Sequence, residues 1–210
     1  MRIGILGSGE IGSTLARLLT AAGHEVALAN RRGPESLAGL VGELGGRARA
    51  ASVEEAIAFG DPLVFVAIPF GAYETLPAGA LAGKVVVDTT NYTPGRDGIF
   101  PELEEDRTTS SELIAAHLPD SRLVKAVNTL NYKYLLDLAR PGAPREERIA
   151  LFVAGDDTEA DGTVAALLEE LGFAVVRTGP LGTGGRRQQP GTPVFNRPLD
   201  ARTAQERWST

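Results

Sequence analysis

A glycine-rich pattern near the start of the chain constrains the fold more than any other feature of the sequence. Residues 7–12 read Gly-Ser-Gly-Glu-Ile-Gly, directly after the apolar run RIGIL and at the start of an amphipathic segment that Gly23 ends. A second apolar run, EVALA, occupies residues 25–29. This order predicts a strand, a helix and a parallel strand, with a glycine turn between the first strand and the helix.

Each glycine of the pattern has a separate steric role in such a turn. Gly7 permits the tight bend, Gly9 lets the backbone approach a pyrophosphate, and Gly12 lets the helix pack closely on the strand. The free N–H groups at the start of the helix favour an anion there. A purely structural turn is the alternative. The predicted dinucleotide contacts are Gly7, Ser8, Gly9, Glu10, Ile11 and Gly12.

The end of the second predicted strand indicates which dinucleotide is bound. NAD-binding proteins carry Asp or Glu at this point to accept hydrogen bonds from the ribose 2′-hydroxyl. This chain carries Asn30, Arg31 and Arg32 instead. A 2′-phosphate needs cations, and each charge-assisted contact contributes about 1.5–3 kcal/mol. The sequence therefore predicts NADP(H) as the cofactor, the alternative being two arginines that are merely solvated on a loop.

Strand-like and helix-like segments continue to alternate along the chain. The runs at 63–67 and 84–88 are continuously apolar, which is typical of central parallel strands covered on both faces. The runs at 148–155 and 173–179 flank a helix-like segment and predict a second β-α-β unit. The predicted fold is α/β, a Rossmann-type doubly wound parallel sheet with a small C-terminal α/β extension.

The predicted organisation has three parts. Residues 1–120 form an NADP-binding domain, and residues 121–181 form a small α/β extension packed on it. Residues 182–210 contain the stretch GGRRQQPGTPVFNRPL, which has no helical or strand periodicity, and are expected to be an irregular tail.

Composition narrows the class of protein. The net charge of −6 argues against binding to nucleic acid, which needs a basic surface. No apolar run approaches the about 18–20 residues of a membrane span, and the start lacks signal-peptide features, so we expect a cytoplasmic protein with no membrane contact. The chain has no Cys and only two His, so we expect no metal site.

Several segments together resemble a known enzyme family. The chain is similar, over residues 1–181, to the NADPH-dependent reductases of the deazaflavin coenzyme F420, the F420H2:NADP oxidoreductases. The segments that carry the resemblance are RIGILGSGEIGSTLA, NRR, VAIP, VVVDTTN, VKAVNT and VAGDD.

The resemblance implies hydride transfer between nicotinamide C4 and deazaflavin C5, with coenzyme F420 as co-substrate and the two rings stacked at the carboxyl ends of the strands. Because the two cofactors supply the chemistry, no catalytic side chain is assigned. The family also implies a homodimer, for which Val194, Phe195 and Trp208 are candidate contacts. The residues expected to line the nicotinamide and acceptor side of the cleft are Ala67, Ile68, Pro69, Asn91, Asn128 and Thr129.

Two further pairs of charged residues have candidate roles outside the glycine turn and the strand ends. Arg186 and Arg187 are candidates for binding the phosphate or acidic side chain of the deazaflavin, the alternative being flexible surface arginines. Asp156 and Asp157 are expected to form a loop and a helix N-cap rather than a catalytic pair.

Two other classes of function remain open. One is an NADPH-dependent reductase of another small acceptor, either a flavin or a carbonyl or imine compound. Families of the pyrroline-carboxylate reductase and β-hydroxyacid dehydrogenase types follow a similar N-terminal half with a large helical domain, whereas this chain continues to alternate strand and helix. The other class is a non-catalytic NADP-binding sensor, which would bind NADPH tightly without turnover.

Overall fold

Eight strands form the sheet at the centre of the computed structural model, which describes residues 1–209. The strands are β1 Arg2–Leu6, β2 Glu25–Ala29, β3 Ala48–Ala50, β4 Pro62–Val66, β5 Val85–Asp88, β6 Arg122–Ala126, β7 Ala150–Gly155 and β8 Ala174–Gly179. Their order across the sheet is β3-β2-β1-β4-β5-β6-β7-β8. All neighbours are parallel except β6 and β7, which are antiparallel. The predicted Rossmann-type α/β fold is confirmed.

Helices connect the strands and cover both faces of the sheet. They are α1 Glu10–Ala21, α2 Ala38–Leu44, α3 Val53–Phe59, α4 Ala78–Leu81, α5 Pro94–Asp97, α6 Pro101–Glu104, α7 Ser110–His117, α8 Tyr132–Leu138, α9 Thr158–Glu170 and α10 Ala201–Ser209. The sequence Ser-Val-Glu-Glu at residues 52–55 predicts a capping box at the start of α3, and it is present, because Ser52 and Glu55 exchange side-chain to backbone hydrogen bonds. Its sequence signal was purely local, which is why it could be predicted.

The core is divided between the two faces of the sheet. Ile3 and Ile5 of β1 point to the face covered by α1, α8 and α9, where Leu15 and Val164 join the same buried cluster. Leu6 belongs to the opposite face, which α3, α4 and α7 cover. This alternation follows from the period of two along a strand and accounts for the continuous apolar runs in the sequence.

The strand order places a ligand crevice at a defined point. From β1 the chain proceeds outward to β2 and β3, then returns to β4 on the other side of β1 and continues to β8. The connections after β1 and β4 therefore leave the sheet in opposite directions, and a crevice opens at the carboxyl ends of these two strands. The glycine turn of residues 7–12 lies directly at this switch point.

Two expectations about the C-terminal half need correction. The extension predicted for residues 121–181 continues the same sheet, and its β7 runs antiparallel to β6, with Lys125 opposite Ala154. The sequence carried no signal for this reversal, because strands buried on both faces look alike in either direction. The tail predicted for residues 182–210 is also not wholly irregular, since it ends in helix α10.

Helix α10 is an integral part of the core. Its Ala204 is fully buried in a cluster with Phe152 and Val176, on the face of β7 and β8 that α9 does not cover. The ring of Trp208 lies 5.8 Å from that of Phe152, and Val194 is only 3% exposed. Val194 and Trp208 therefore pack within their own chain, and their role as dimer contacts stays a prediction.

The packing of α10 predicts a position-specific loss of stability. Ala204→Glu places a carboxylate against β8 and is expected to lower the free energy of unfolding by about 3 kcal/mol. Gln205→Glu introduces the same side chain at the next, exposed position of the helix and serves as the control. Urea unfolding monitored by circular dichroism measures both variants. Equal stabilities would contradict the docking of α10.

Candidate functional site

The glycine turn has the steric properties that its sequence predicted. Gly7 has a φ of +113°, and a Cβ there would collide with the carbonyl oxygen of Ala67 at the end of β4. A Cβ on Gly12 would collide with the carbonyl oxygen of Gly7, so the helix packs directly on the turn. In the described part of the chain no atom lies within 4 Å of the corresponding point at Gly9. The turn thus packs tightly on protein atoms at Gly7 and Gly12, whereas at Gly9 it leaves space for a ligand.

A cavity of about 670 Å³ extends from this turn across the ends of β2 and β4. It brings together nine of the predicted contacts, which are Gly7, Ser8, Gly9, Asn30, Arg31, Arg32, Ala67, Ile68 and Pro69. The remaining wall comes from α3 and from the segment 72–77. The predicted pyrophosphate turn, the predicted arginine pair and the residues after β4 therefore share one space.

Asn30 connects the arginine pair to the glycine turn. Its Nδ2 donates to the hydroxyl of Ser8 at 2.8 Å and to that of Ser36 at 3.0 Å, and its Oδ1 accepts from the backbone N–H of Arg32 at 2.9 Å. An Asp at this position would have no N–H group to donate to the hydroxyl of Ser8. Asn30 thus orders the loop without adding negative charge to it.

The two arginines of this loop are exposed at the edge of the cavity. Among residues 1–209, neither Arg31 nor Arg32 forms an ion pair with a carboxylate. Both guanidinium groups are therefore available to an anionic ligand. A dianionic phosphate is the ligand that such a pair binds best, because each guanidinium offers several donors in a plane.

A second cavity, of about 280 Å³, lies at the ends of β5 and β6. Its lining residues are Ile11, Thr89, Asn91, Asn128, Leu130, Asn131, Tyr132, Phe195 and Asn196. Ile11 belongs to the glycine turn, so this turn contributes residues to both cavities. We call the second cavity the acceptor cavity below.

Asn91 and Asn128 bridge the two strand ends at this cavity. Asn91 Nδ2 donates to the backbone carbonyl of Asn128 at 2.9 Å, and Asn128 Nδ2 donates to Asn91 Oδ1 at 3.1 Å and to the carbonyl of Gln188 at 2.9 Å. Because two of these acceptors are backbone carbonyls, the orientation of both amides is fixed by the network. The structure thus brings Asn91 and Asn128 together, as the sequence analysis expected.

Thr129 does not share this position. Its side chain is 1% exposed and faces neither cavity, while its carbonyl accepts from the backbone N–H of Asn196 at 2.6 Å. Thr129 therefore holds the C-terminal segment in place and does not line the cleft. Phe195 and Asn196, which the sequence analysis did not assign to the site, reach it by this contact.

An ion pair buried beneath the acceptor cavity was also missed. Lys125 and Asp88 are 1% and 0% exposed, and Lys125 Nζ lies 3.0 Å from Asp88 Oδ2. Lys125 also donates to the carbonyl of Thr90, and Asp88 accepts from the N–H of Thr90 at 2.8 Å and from the hydroxyl of Ser111 at 2.7 Å. A charged residue directly after a buried apolar run in each of two strands was the available signal.

The backbone after Lys125 adopts an unusual conformation. Val127 has a φ of +65° although it is β-branched and buried, which places it in a region that such residues rarely adopt. A conformation of this kind costs on the order of 1–3 kcal/mol and persists only where its surroundings impose it. Val127 lies immediately before Asn128, so the strained residue adjoins the hydrogen bonds that Asn128 makes at the acceptor cavity.

The other charged residues named from sequence lie outside both cavities. Asp157 caps α9, and Arg122 donates to both of its oxygens at 2.6 and 3.0 Å, which holds the pKa of this carboxyl well below its usual range. The predicted N-cap is confirmed. Arg186 pairs with Asp106 at 3.3 Å, and Arg187 lies over the ring of Trp208.

No helix within residues 1–209 has both the length and the apolar character needed to cross a membrane. In the same part of the chain, no three His, Asp or Glu side chains are grouped in a way that could hold a metal ion.

Known proteins resemble this chain in the sequence that forms most of the first cavity and in the fold. Residues 2–92, which include the glycine turn and the arginine pair, match the family described as NADP oxidoreductase, coenzyme F420-dependent. Metalloreductase STEAP3 of Rattus norvegicus is 31% identical over 182 residues, which are 86% of this chain and 34% of that protein. The chain thus spans about a third of the length of this curated relative.

Two solved structures resemble the chain over almost its whole length. A hypothetical protein, SMa0349 of Sinorhizobium meliloti, is 31% identical with a TM-score of 0.83, and the match covers 95% of each chain. A candidate F420-dependent NADP reductase from Arthrobacter sp. FB24 is 28% identical with a TM-score of 0.77, covering 95% of this chain and 99% of that one. Residues 2–92 thus resemble an NADP-dependent oxidoreductase family, and almost the whole chain shares the fold of a candidate member of that class.

Proposed function

We propose that this protein transfers a hydride between NADP(H) and the deazaflavin coenzyme F420. The observation that carries the proposal is the arginine pair, held by Asn30 at the edge of a cavity whose glycine turn also contributes Ile11 to the acceptor cavity. The match of residues 2–92 to the F420-dependent family and the similarity to the Arthrobacter protein support this choice of acceptor.

The residues of the first cavity fit NADP(H) from end to end. Arg31 and Arg32 bind the 2′-phosphate, and the open approach at Gly9 admits the pyrophosphate to the start of α1. Ile68 and Pro69 follow β4 and provide an apolar surface for the nicotinamide half. Because backbone atoms pack tightly against Gly7 and Gly12, the turn is rigid before the cofactor binds.

The acceptor cavity suits a reaction in which orientation matters more than proton transfer. NADPH supplies the hydride, and a deazaflavin accepts it at a ring carbon, so no acid needs to touch the reacting atoms. Ile11, Tyr132 and Phe195 provide apolar surface that excludes water, and the paired amides of Asn91 and Asn128 hold the two strand ends at a fixed separation. The chain's part is to bring two rings together in one orientation.

A different acceptor is the second candidate function. The similarity to a metalloreductase extends over 182 residues, well beyond the family match, and so includes the strands that form the acceptor cavity. A metal ion accepts single electrons, so an intermediate hydride acceptor such as a flavin would be required. A carbonyl or imine acceptor would need a proton at its heteroatom, and Tyr132 is the one titratable side chain among the described residues of this cavity that could supply it.

Charge reversal at the arginine pair tests the cofactor half of the proposal. Arg31→Glu combined with Arg32→Glu is expected to raise the KM for NADPH about 100-fold, because two contacts to the 2′-phosphate become repulsive. The KM for NADH should stay nearly unchanged. Arg107→Glu combined with Arg197→Glu alters the net charge equally at exposed sites and is the control. Equal losses with both cofactors would show that the pair does not recognise the 2′-phosphate.

The choice of acceptor is tested by direct comparison. Purified protein with NADPH is expected to bleach the absorbance of oxidised coenzyme F420 rapidly, to do so far more slowly with NADH, and to leave riboflavin and FMN oxidised. Stopped-flow absorbance measures each reaction. Reduction of a flavin without the deazaflavin would favour the second candidate. Tight NADPH binding with no acceptor reduced would indicate a sensor.

A further inference from the structure

Helix α5 ends in a carboxylate that has no exposed surface. The side chain of Asp97 is 0% exposed, and its two oxygens accept from Arg96 Nε and Nη2, each at 2.8 Å. The backbone N–H of Thr93 also donates to Asp97 Oδ2 at 2.8 Å. Burial raises the pKa of this carboxyl, but the hydrogen bonds from Arg96 and from the N–H groups of Thr93 and Gly71 lower it by more. Asp97 is therefore ionised at neutral pH.

The backbone of Asp97 lies against the wall of the first cavity. Gly71 stands between Pro69 and Ala72, both of which line that cavity. A Cβ on Gly71 would lie 2.8 Å from the carbonyl oxygen of Asp97 and 2.9 Å from its Cα. The two backbones therefore approach too closely for any side chain at residue 71, and a shift of one displaces the other.

Aromatic rings reinforce the same contact. The ring of Phe70 is fully buried and lies 5.6 Å from that of Tyr92 and 5.1 Å from that of Phe100, both in edge-to-face geometry. The hydroxyl of Tyr92 donates to the carbonyl of Gly98 at 3.1 Å. Segment 92–100 is thus held on the segment after β4 by rings as well as by Asp97.

Arg96 connects this carboxylate to the acceptor cavity. Its Nη2 donates to Asp97 Oδ2 and also to the backbone carbonyl of Asn91, at 2.7 Å. Asn91 lines the acceptor cavity and shares hydrogen bonds with Asn128 there. One guanidinium therefore joins the backbone of the acceptor cavity to the residue that contacts the wall of the first cavity.

We propose that Arg96 and Asp97 are positioning residues, which set the distance between the nicotinamide along Pro69 and the acceptor ring beside Asn91. Hydride transfer requires the two reacting carbons about 3–3.5 Å apart, and a misplacement of about 1 Å costs on the order of 100-fold in rate. Neither residue lines the first cavity or the acceptor cavity, so both act by fixing Gly71 and Asn91 relative to each other. The inference rests on the proposed function and adds residues outside both cavities to it.

Two variants displace this contact in different ways. Gly71→Ala inserts a methyl group against Asp97 and removes no hydrogen bond, whereas Arg96→Gln removes the charge and the bidentate contact. Each is expected to lower the rate of hydride transfer from NADPH to coenzyme F420 about tenfold and to change the Kd for NADPH by less than about twofold. Single-turnover stopped-flow absorbance measures the rate, and calorimetric titration measures the Kd. Arg96→Lys keeps the charge and should recover part of the rate.

Each variant has a matched control. Gly79→Ala adds the same methyl group at a point where no atom of the described chain lies within 4 Å, and Arg107→Gln breaks an exposed ion pair with Glu105 of 2.7 Å. Neither should change the rate. A rate equal to that of the parent protein in both Gly71→Ala and Arg96→Gln would overturn the proposal. An equal loss of rate and of NADPH affinity would overturn it as well, because it would show damage to the NADPH site and not to the alignment of the rings.

The positioning role can fail separately from the proposed function. If the parent protein binds coenzyme F420 without reducing it, the proposed function fails, and the coupling between the two ligands then tests the contact. The parent is expected to bind coenzyme F420 more tightly with NADP+ than without it, because the stacked rings contact each other, and Gly71→Ala is expected to bring that ratio of Kd values towards one. The same ratio in parent and variant would overturn the positioning role. Absence of coenzyme F420 binding to the parent would overturn both.

Discussion

The buried ion pair between Lys125 and Asp88 fixes the geometry on which the acceptor side of the cleft depends. Removing two charges from water is costly, and their attraction offsets that cost only where further hydrogen bonds satisfy both groups. Here Asp88 accepts from Thr90 and Ser111 as well, and Lys125 also donates to the carbonyl of Thr90. The pair therefore ties together the ends of β5 and β6, the start of α7 and the turn that leads to Asn91.

This anchoring explains how a strained residue can persist beside the cavity. Val127 follows the anchored strand end, and its positive φ turns the chain so that Asn128 meets both Asn91 and the carbonyl of Gln188. Without a fixed strand end, a valine would relax to an ordinary extended conformation. The hydrogen bond from Asn128 to the carbonyl of Gln188 thus connects the sheet to a segment 60 residues further along the chain.

Sequence alone predicted the parts of the fold that local rules determine. The glycine turn, the capping box at Ser52 and the strands buried on both faces follow from patterns within a few residues. The role of α10 was missed, although the spacing of Ala201, Ala204 and Trp208 is that of a helix face. A stronger signal lay in β7, where every residue is buried: α9 can cover only one face, so the C-terminal segment had to cover the other.

The candidate site shows the same division, between residues that local sequence patterns reveal and residues that only long-range contacts bring to the site. The residues proposed to hold the pyrophosphate and the 2′-phosphate lie in the β1-α1-β2 unit and the loop after it and were named from sequence. Phe195 lines the acceptor cavity, and Gln188 supports it, only through contacts with residues far away in the chain. Similarity confined to residues 2–92 therefore carries information about the cofactor and little about the acceptor. Relatives that keep the Asn30 loop but change segment 186–196 would retain NADPH and select a different acceptor, because that segment forms a wall of the acceptor cavity.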